Sequence, residues 1–281
     1  MNCYKINQMA KVGIVALIIG FVGFAASSGQ QAGELITGLE YNANTIFTMN
    51  SSTPGSIFAT GVSGLQGGDI LVSVEYLGSI LYGVGSGGDL YTINASSGAA
   101  SLVSHFGTLN GTYYGVDASS AGIRIVSDNE INILLNPITG AVISSSPTLT
   151  SGLTIDAIAS SGSTMYGVDS IANTLGILNT ATGTFATTGA MGYDVSGKNG
   201  FDISPNSGTA YFASAVSSSG TDANLYQVNL ATGFASLVGR IGPGEGLLVA
   251  GLTVQAVPEP SSIALVCLGG AGMFGLMRRR K

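Results

Sequence analysis

Five short segments of this chain repeat at a near-constant interval, and that interval restricts the fold more than any other feature. They run from Asn44 to Gly55, Asp89 to Gly98, Ile131 to Gly140, Asn173 to Gly183 and Asn224 to Gly233. Anchored on Ile46, Leu90, Ile133, Leu175 and Leu225, they lie 44, 43, 42 and 50 residues apart. Most close on a turn such as Asn94-Ala-Ser-Ser-Gly98 or Asn229-Leu-Ala-Thr-Gly233. Asn suits the start of a tight turn, and Gly supplies positive φ without steric cost. A period of roughly 40 to 50 residues that holds four short strands points to propeller blades.

The strands inside each unit are rich in β-branched and aromatic residues and bounded by Gly, Asn, Ser or Pro. First strands are predicted at Ile70–Tyr76, Tyr113–Ala118, Ile155–Ala159 and Gly200–Ser204, each followed by three more. The N-terminal unit offers Leu35–Tyr41, Thr45–Met49 and Ser56–Gly61 but no first strand, whereas Leu247–Val254 resembles a first strand with no blade after it. Pairing the two completes five four-stranded blades and closes the ring, which removes exposed edges. The expectation is therefore an all-β, five-bladed β-propeller over residues 33–256. Four strands per period favour it over an open solenoid or a two-sheet sandwich. The longest interval places an extra loop at Val216 to Ala223.

Two further segments frame the repeats. Lys5 and Lys11 precede an apolar run from Val12 to Ala26 and small residues after it, which reads as a signal peptide over residues 1–28. At the other end, Ile263 to Met277 is apolar and is followed by Arg278, Arg279, Arg280 and Lys281. The run is shorter than the roughly 20 residues a span needs, but the preceding residues and snorkelling arginine stems extend it. A transmembrane helix over 263–277, with its bases on the cytoplasmic side, is expected. Just before it stand Val257, Pro258, Glu259 and Pro260. Pro-Glu-Pro, a Gly-rich apolar helix and an arginine cluster, in that order, resemble the PEP-CTERM sorting signal of Gram-negative bacteria. The resemblance covers residues 257–281. It implies export, recognition by an exosortase, transient anchoring in the inner membrane through the C-terminal helix, and removal of the tail. Because such proteins accompany exopolysaccharide and biofilm production, it also implies a cell-surface or extracellular location and exopolysaccharide as a partner.

Between residues 33 and 256 only Arg124, Lys198 and Arg240 oppose fourteen acids, a formal charge of −11. Such a surface repels phosphate backbones, which argues against nucleic acid as a partner. Cys3 and Cys267 both lie in the end segments, so the body has neither disulfide nor thiol chemistry. The body also resembles a family of bacterial domains of unknown function found in secreted and sorting-signal proteins. The stretches that carry this are Leu81 to Val84, Leu90 to Asn94, Ile123 to Ser127, Asn136 to Val142 and Gly200 to Ile203. The resemblance implies a propeller-like fold and no established activity. The chain departs from it near Ile133-Leu-Leu135, where a base is expected.

First strands of a propeller line its channel, and three carry an acid at a similar place: Glu75, Asp117 and Asp202, with Asp156 as a candidate fourth. Converging carboxylates raise one another's pKa or hold a hard cation such as Ca²⁺. Alternatively, each acid satisfies backbone N–H groups in its own blade; both readings stay open. No catalytic residue is assigned. His105, the one histidine, ends a strand and reads as a packed or surface residue. Gly83 to Gly87 leads into a strand, not a helix, so it reads as a hairpin and not a phosphate loop. Arg124 is expected to pair with Asp117 or Asp128, and the tyrosines at repeat-equivalent sites to pack between blades. These features predict an exported, non-enzymatic surface or matrix protein; the alternative is a carbohydrate-active hydrolase or lyase that uses the channel carboxylates.

Overall fold

The computed structural model describes residues 33–145, 147–215, 219–244 and 246–256. The predicted signal peptide, the Pro-Glu-Pro motif and the C-terminal span lie outside these residues. Among the described residues no helix is long and apolar enough to cross a membrane.

The described residues form twenty strands in five antiparallel four-stranded sheets. In chain order they are β1 (Leu35–Glu40), β2 (Thr45–Asn50) and β3 (Ile57–Gly61); β4 (Leu71–Leu77), β5 (Ile80–Gly85), β6 (Asp89–Ile93) and β7 (Ala100–His105); and β8 (Tyr114–Ser119), β9 (Gly122–Ser127), β10 (Asn132–Leu135) and β11 (Val142–Ser144). They continue with β12 (Ile155–Ser161), β13 (Thr164–Asp169), β14 (Thr174–Asn179) and β15 (Thr184–Ala190); β16 (Asn199–Ile203), β17 (Ala210–Ala215), β18 (Ala223–Val228) and β19 (Ala235–Arg240); and finally β20 (Val249–Val254). β20 pairs with β1, so the first blade is β20-β1-β2-β3 and the chain's two ends close the ring as expected. The remaining blades, two to five, each follow sequence order. The extra residues of the longest interval are shared between the β16–β17 and β17–β18 connections, the second being the expected loop.

The core is distributed over the blade interfaces. Five apolar clusters occur, one between each pair of neighbouring blades. Leu39 and Ile46 of blade one meet Leu71 and Tyr91 of blade two, for example, and Tyr82 and Leu90 meet Val116 and Ile125 of blade three. Tyr82, Tyr91, Tyr114, Tyr211 and Tyr226 are all buried, so these repeat tyrosines pack between blades. The outermost strands are largely exposed.

The repeated turn has a specific structural job. Asn94, Asn136, Asn179 and Asn229 each accept two backbone N–H groups on Oδ1, from the residues two and three further on. The Gly four residues on donates back to the Asn carbonyl at 2.8 Å in every copy. Those glycines, Gly98, Gly140, Gly183 and Gly233, all have positive φ. A Cβ on them would strike the preceding blade: Gly61 O, Ser104 Cβ, Thr148 O and Gly189 O respectively, at 2.1 to 2.5 Å. The glycine is thus demanded twice, by its own backbone and by its neighbour.

Candidate functional site

The innermost strands β20, β4, β8, β12 and β16 surround the channel, and their registers align residue by residue. One ring is Gly251, Ser73, Gly115, Ala157 and Gly200, taken from blade one to blade five. These small residues bring the backbones together. A Cβ at Gly115 would lie 2.9 Å from Ala157 Cα, and one at Gly200 would lie 2.5 Å from Leu252 N. They form a narrow waist.

Two residues further along each strand is a second ring: Thr253, Glu75, Asp117, Ala159 and Asp202. The three predicted channel acids are therefore brought together, and all are buried. Asp156 is not the fourth. It stands three residues before the ring position, which is Ala159, and a bulge between Ile155 and Ala157 shifts the frame. Asp156 instead accepts from Ser170 Oγ at 2.5 Å and Asn199 Nδ2 at 3.0 Å. Burial pushes its pKa up to about 8.

At three of the five interfaces a ring side chain ties one blade to the next. Asp202 Oδ2 accepts from Val254 N of blade one at 2.6 Å, Thr253 Oγ1 accepts from Tyr76 N of blade two at 3.1 Å, and Asp117 Oδ1 accepts from Ser160 N of blade four at 2.9 Å. In each case the donor is the residue just after the ring position. Two links differ. Ala159 has no acceptor, and Ile203 N turns to its own Asp202 Oδ1 at 2.6 Å. Glu75 Oε1 takes its own Tyr76 N at 3.0 Å and the Thr253 hydroxyl at 2.7 Å. The acids thus serve two backbone N–H groups within their own blades, as expected, and two across interfaces, which was not expected.

Beyond the ring the channel opens into a cavity of about 540 Å³. Its rim is built from the β4–β5, β12–β13 and β16–β17 turns, at Gly78, Gly162 and Ser204 to Gly208, and from Val254 and Ala256. Glu75 Oε2 and Asp117 Oδ2 have no hydrogen-bond partner, and both residues line this cavity. Desolvation holds Glu75 well above the ordinary carboxylate range, helped by the Asp202 and Asp117 charges. Desolvation raises Asp202 and Asp117 too, against their hydrogen bonds; the Arg124 charge also opposes the rise at Asp117. Among the described residues no set of three His, Cys, Asp or Glu side chains is placed to hold a metal ion. Calcium takes six to eight oxygens, whereas here both Asp202 oxygens already accept backbone N–H groups and Glu75 and Asp117 offer one unpartnered oxygen each.

Arg124 pairs with neither expected acid. It lies opposite Asp117 in register but donates to Asn132 Oδ1 at 2.8 Å, while Asp128 accepts Thr112 N. His105 does sit on the surface, at 2.9 Å from Asp89 Oδ1. Asp89 also meets the Tyr91 hydroxyl, which donates to Asp69 Oδ2 at 2.9 Å. Sequence reasoning missed this chain, although Asp89 and His105 are direct cross-strand partners in the β6–β7 hairpin. It also missed the opposite mouth, where Lys198 Nζ lies 5.4 Å from the Tyr41 ring centroid and Tyr113 stands beside it.

The molecule is a five-bladed β-propeller with a waisted channel and an acid-floored cavity at one end. The chain belongs to the family described as a domain of unknown function, DUF4394, which matches residues 45–253, and it carries a PEP-CTERM protein-sorting motif at residues 256–281. That motif marks it for export and for processing by an exosortase in Gram-negative bacteria. No curated protein matches the chain. Among solved structures, a protein of unknown function from Bacteroides caccae aligns with a TM-score of 0.49 at 10% identity, covering 80% of this chain and 100% of that one. The Myxococcus xanthus glutaminyl cyclase aligns at 0.44 with 12% identity, covering 73% and 95%. A nidogen/laminin complex aligns at 0.44 with 12% identity, covering 80% and 86%.

Proposed function

We propose that the protein is a non-enzymatic component of the cell surface or extracellular matrix, associated with exopolysaccharide. It enters the export route through a signal peptide at residues 1–28. A span at 263–277 then holds it until the exosortase acts. The observation that carries the non-enzymatic reading is the hydrogen bonding of the acid ring. Asp202 has both oxygens on backbone N–H groups, and Asp117 and Thr253 each bind the next blade, so these side chains hold the ring together.

A second reading, a carbohydrate-active hydrolase or lyase, draws on the two free oxygens of Glu75 and Asp117. A carboxyl with a raised pKa is suited to general acid work. Incubating the purified protein with the host's exopolysaccharide separates the two. Retention of the polymer without new reducing ends is the expected result. New reducing ends that vanish in Asp117→Asn would establish the enzyme instead. For the address, Pro258→Ala combined with Glu259→Ala is expected to leave the protein unprocessed at the inner membrane, seen by fractionation.

A further inference from the structure

The carboxylate cavity has a composition that selects one kind of ligand. Glu75 and Asp117 are each only 4% exposed, yet Glu75 Oε2 and Asp117 Oδ2 find no donor among the described residues. A buried carboxyl oxygen without a donor is costly, and native structures rarely leave one so. The two residues occupy the same ring position on neighbouring blades, so their free oxygens belong to one side of the channel. None of the lining side chains is a base. Ser160 Oγ donates to Asp117 Oδ1 at 3.1 Å, which leaves only its lone pairs for a ligand. Leu77, Ile203, Pro205 and Val254 supply apolar wall above this floor. The waist of small residues lies behind the ring.

We propose that this cavity binds a primary ammonium group on a short aliphatic stem, with Glu75 Oε2 and Asp117 Oδ2 as its acceptors. An ammonium has three N–H donors and no acceptor. Two carboxyl oxygens and the Ser160 hydroxyl match that number. A guanidinium brings five donors in a rigid fork and would leave some unmet. Calcium would lack most of its oxygen ligands. An anion would meet only acceptors and negative charge. The stem lies against the apolar wall, where a sugar ring would bury hydroxyls without partners.

Binding exchanges protons on the carboxyls for the ligand's charge. The groups that face Glu75 are Asp117 and Asp202, and Arg124 acts on Asp117 from the adjacent strand. Affinity therefore rises with pH while the amine stays protonated.

The test is calorimetric titration of the purified exported protein with cadaverine, with pentane-1,5-diol and with calcium chloride, at pH 6 and pH 8. Cadaverine is expected to bind at least about tenfold more tightly than the diol at pH 8, the difference one charge-assisted hydrogen bond makes. It should weaken at pH 6, and weaken at least about tenfold in Glu75→Gln and in Asp117→Asn. N-acetyl-lysine methylamide distinguishes the source. Binding equal to cadaverine assigns a partner's lysine side chain, and binding of cadaverine alone assigns a free amine. The proposal is overturned if the wild-type protein binds the diol as tightly as cadaverine, prefers calcium, or binds no amine at millimolar concentration. These wild-type comparisons decide the matter even if a variant does not fold.

Discussion

Thr253 supplies the one hydroxyl of the ring. Its hydroxyl accepts Tyr76 N, donates to Glu75 Oε1 and lies 3.3 Å from Asp202 Oδ2, so one side chain touches three blades. Thr253→Val keeps the shape and removes every one of these contacts. It should cost about 1 to 3 kcal/mol, read as a lower urea midpoint with an unchanged slope. The neighbouring carboxyls give the protein an unusual pH response. Asp156 has its folded pKa raised from 3.8 to about 8, so the folded state keeps a proton that the unfolded chain releases. That contribution is complete below about pH 4 and is lost as the pH rises toward about 8. The raised Glu75, Asp117 and Asp202 act in the same direction. The thermal midpoint should therefore fall between pH 5 and pH 8. In Asp156→Asn, which can keep both hydrogen bonds, the fall should shrink. A midpoint that climbs with pH would contradict this account. Three of the ring acids were legible in the sequence because Val-Glu-Tyr, Val-Asp-Ala and Phe-Asp-Ile share a frame. Asp156 misled because the ring position of its strand falls three residues later, on Ala159, which carries no polar group to mark it. The clearer signal was a small residue two places before the ring position, as in Ser73, Gly115 and Gly200.

At the scale of elements, the Asn-x-x-x-Gly turn couples local geometry to blade docking. Gly183 and Gly208 make a controlled comparison, since both have φ near +70°. A Cβ on Gly183 would meet Thr148 O at 2.1 Å, whereas one on Gly208 meets nothing within 4 Å. Gly208→Ala should cost only the left-handed backbone strain, ~1 kcal/mol. Gly183→Ala adds a backbone collision between blades three and four and should cost ~2–4 kcal/mol. Chemical denaturation of the two variants checks the difference, and equal losses would mean the docking contact is unimportant. The sequence announced these turns because Asn and Gly are chemically distinctive. It could not announce that the glycine also touches the preceding blade, since that contact joins residues such as Gly98 and Gly61 across the interface. Arg124 was misjudged for a similar reason. An arginine among acids suggests an ion pair, but Asn132 is positioned nearer by the β9–β10 hairpin.

For the whole molecule, closure rests on β20, which supplies the innermost strand of blade one and packs against β4, β16 and β17. Ending the chain at Leu248 should abolish the cooperative unfolding transition, because one apolar interface and two ring ties go with it. Ending it at Ala256 should preserve that transition. Circular dichroism during urea unfolding distinguishes the outcomes, and a truncated chain that still melts cooperatively would show the ring can stand open. The five-blade architecture was readable because the period, the turn chemistry and the missing first strand agreed. The cavity was not, since its walls come from the ends of separate repeats.

The position of Val254 and Ala256 in the cavity wall has one more implication. The sorting motif begins at residue 256 itself. The first residue of the motif is thus itself part of the cavity rim. The address label is stitched to the doorframe of the cavity. An exosortase that recognises the motif therefore acts on a segment that starts at the cavity rim.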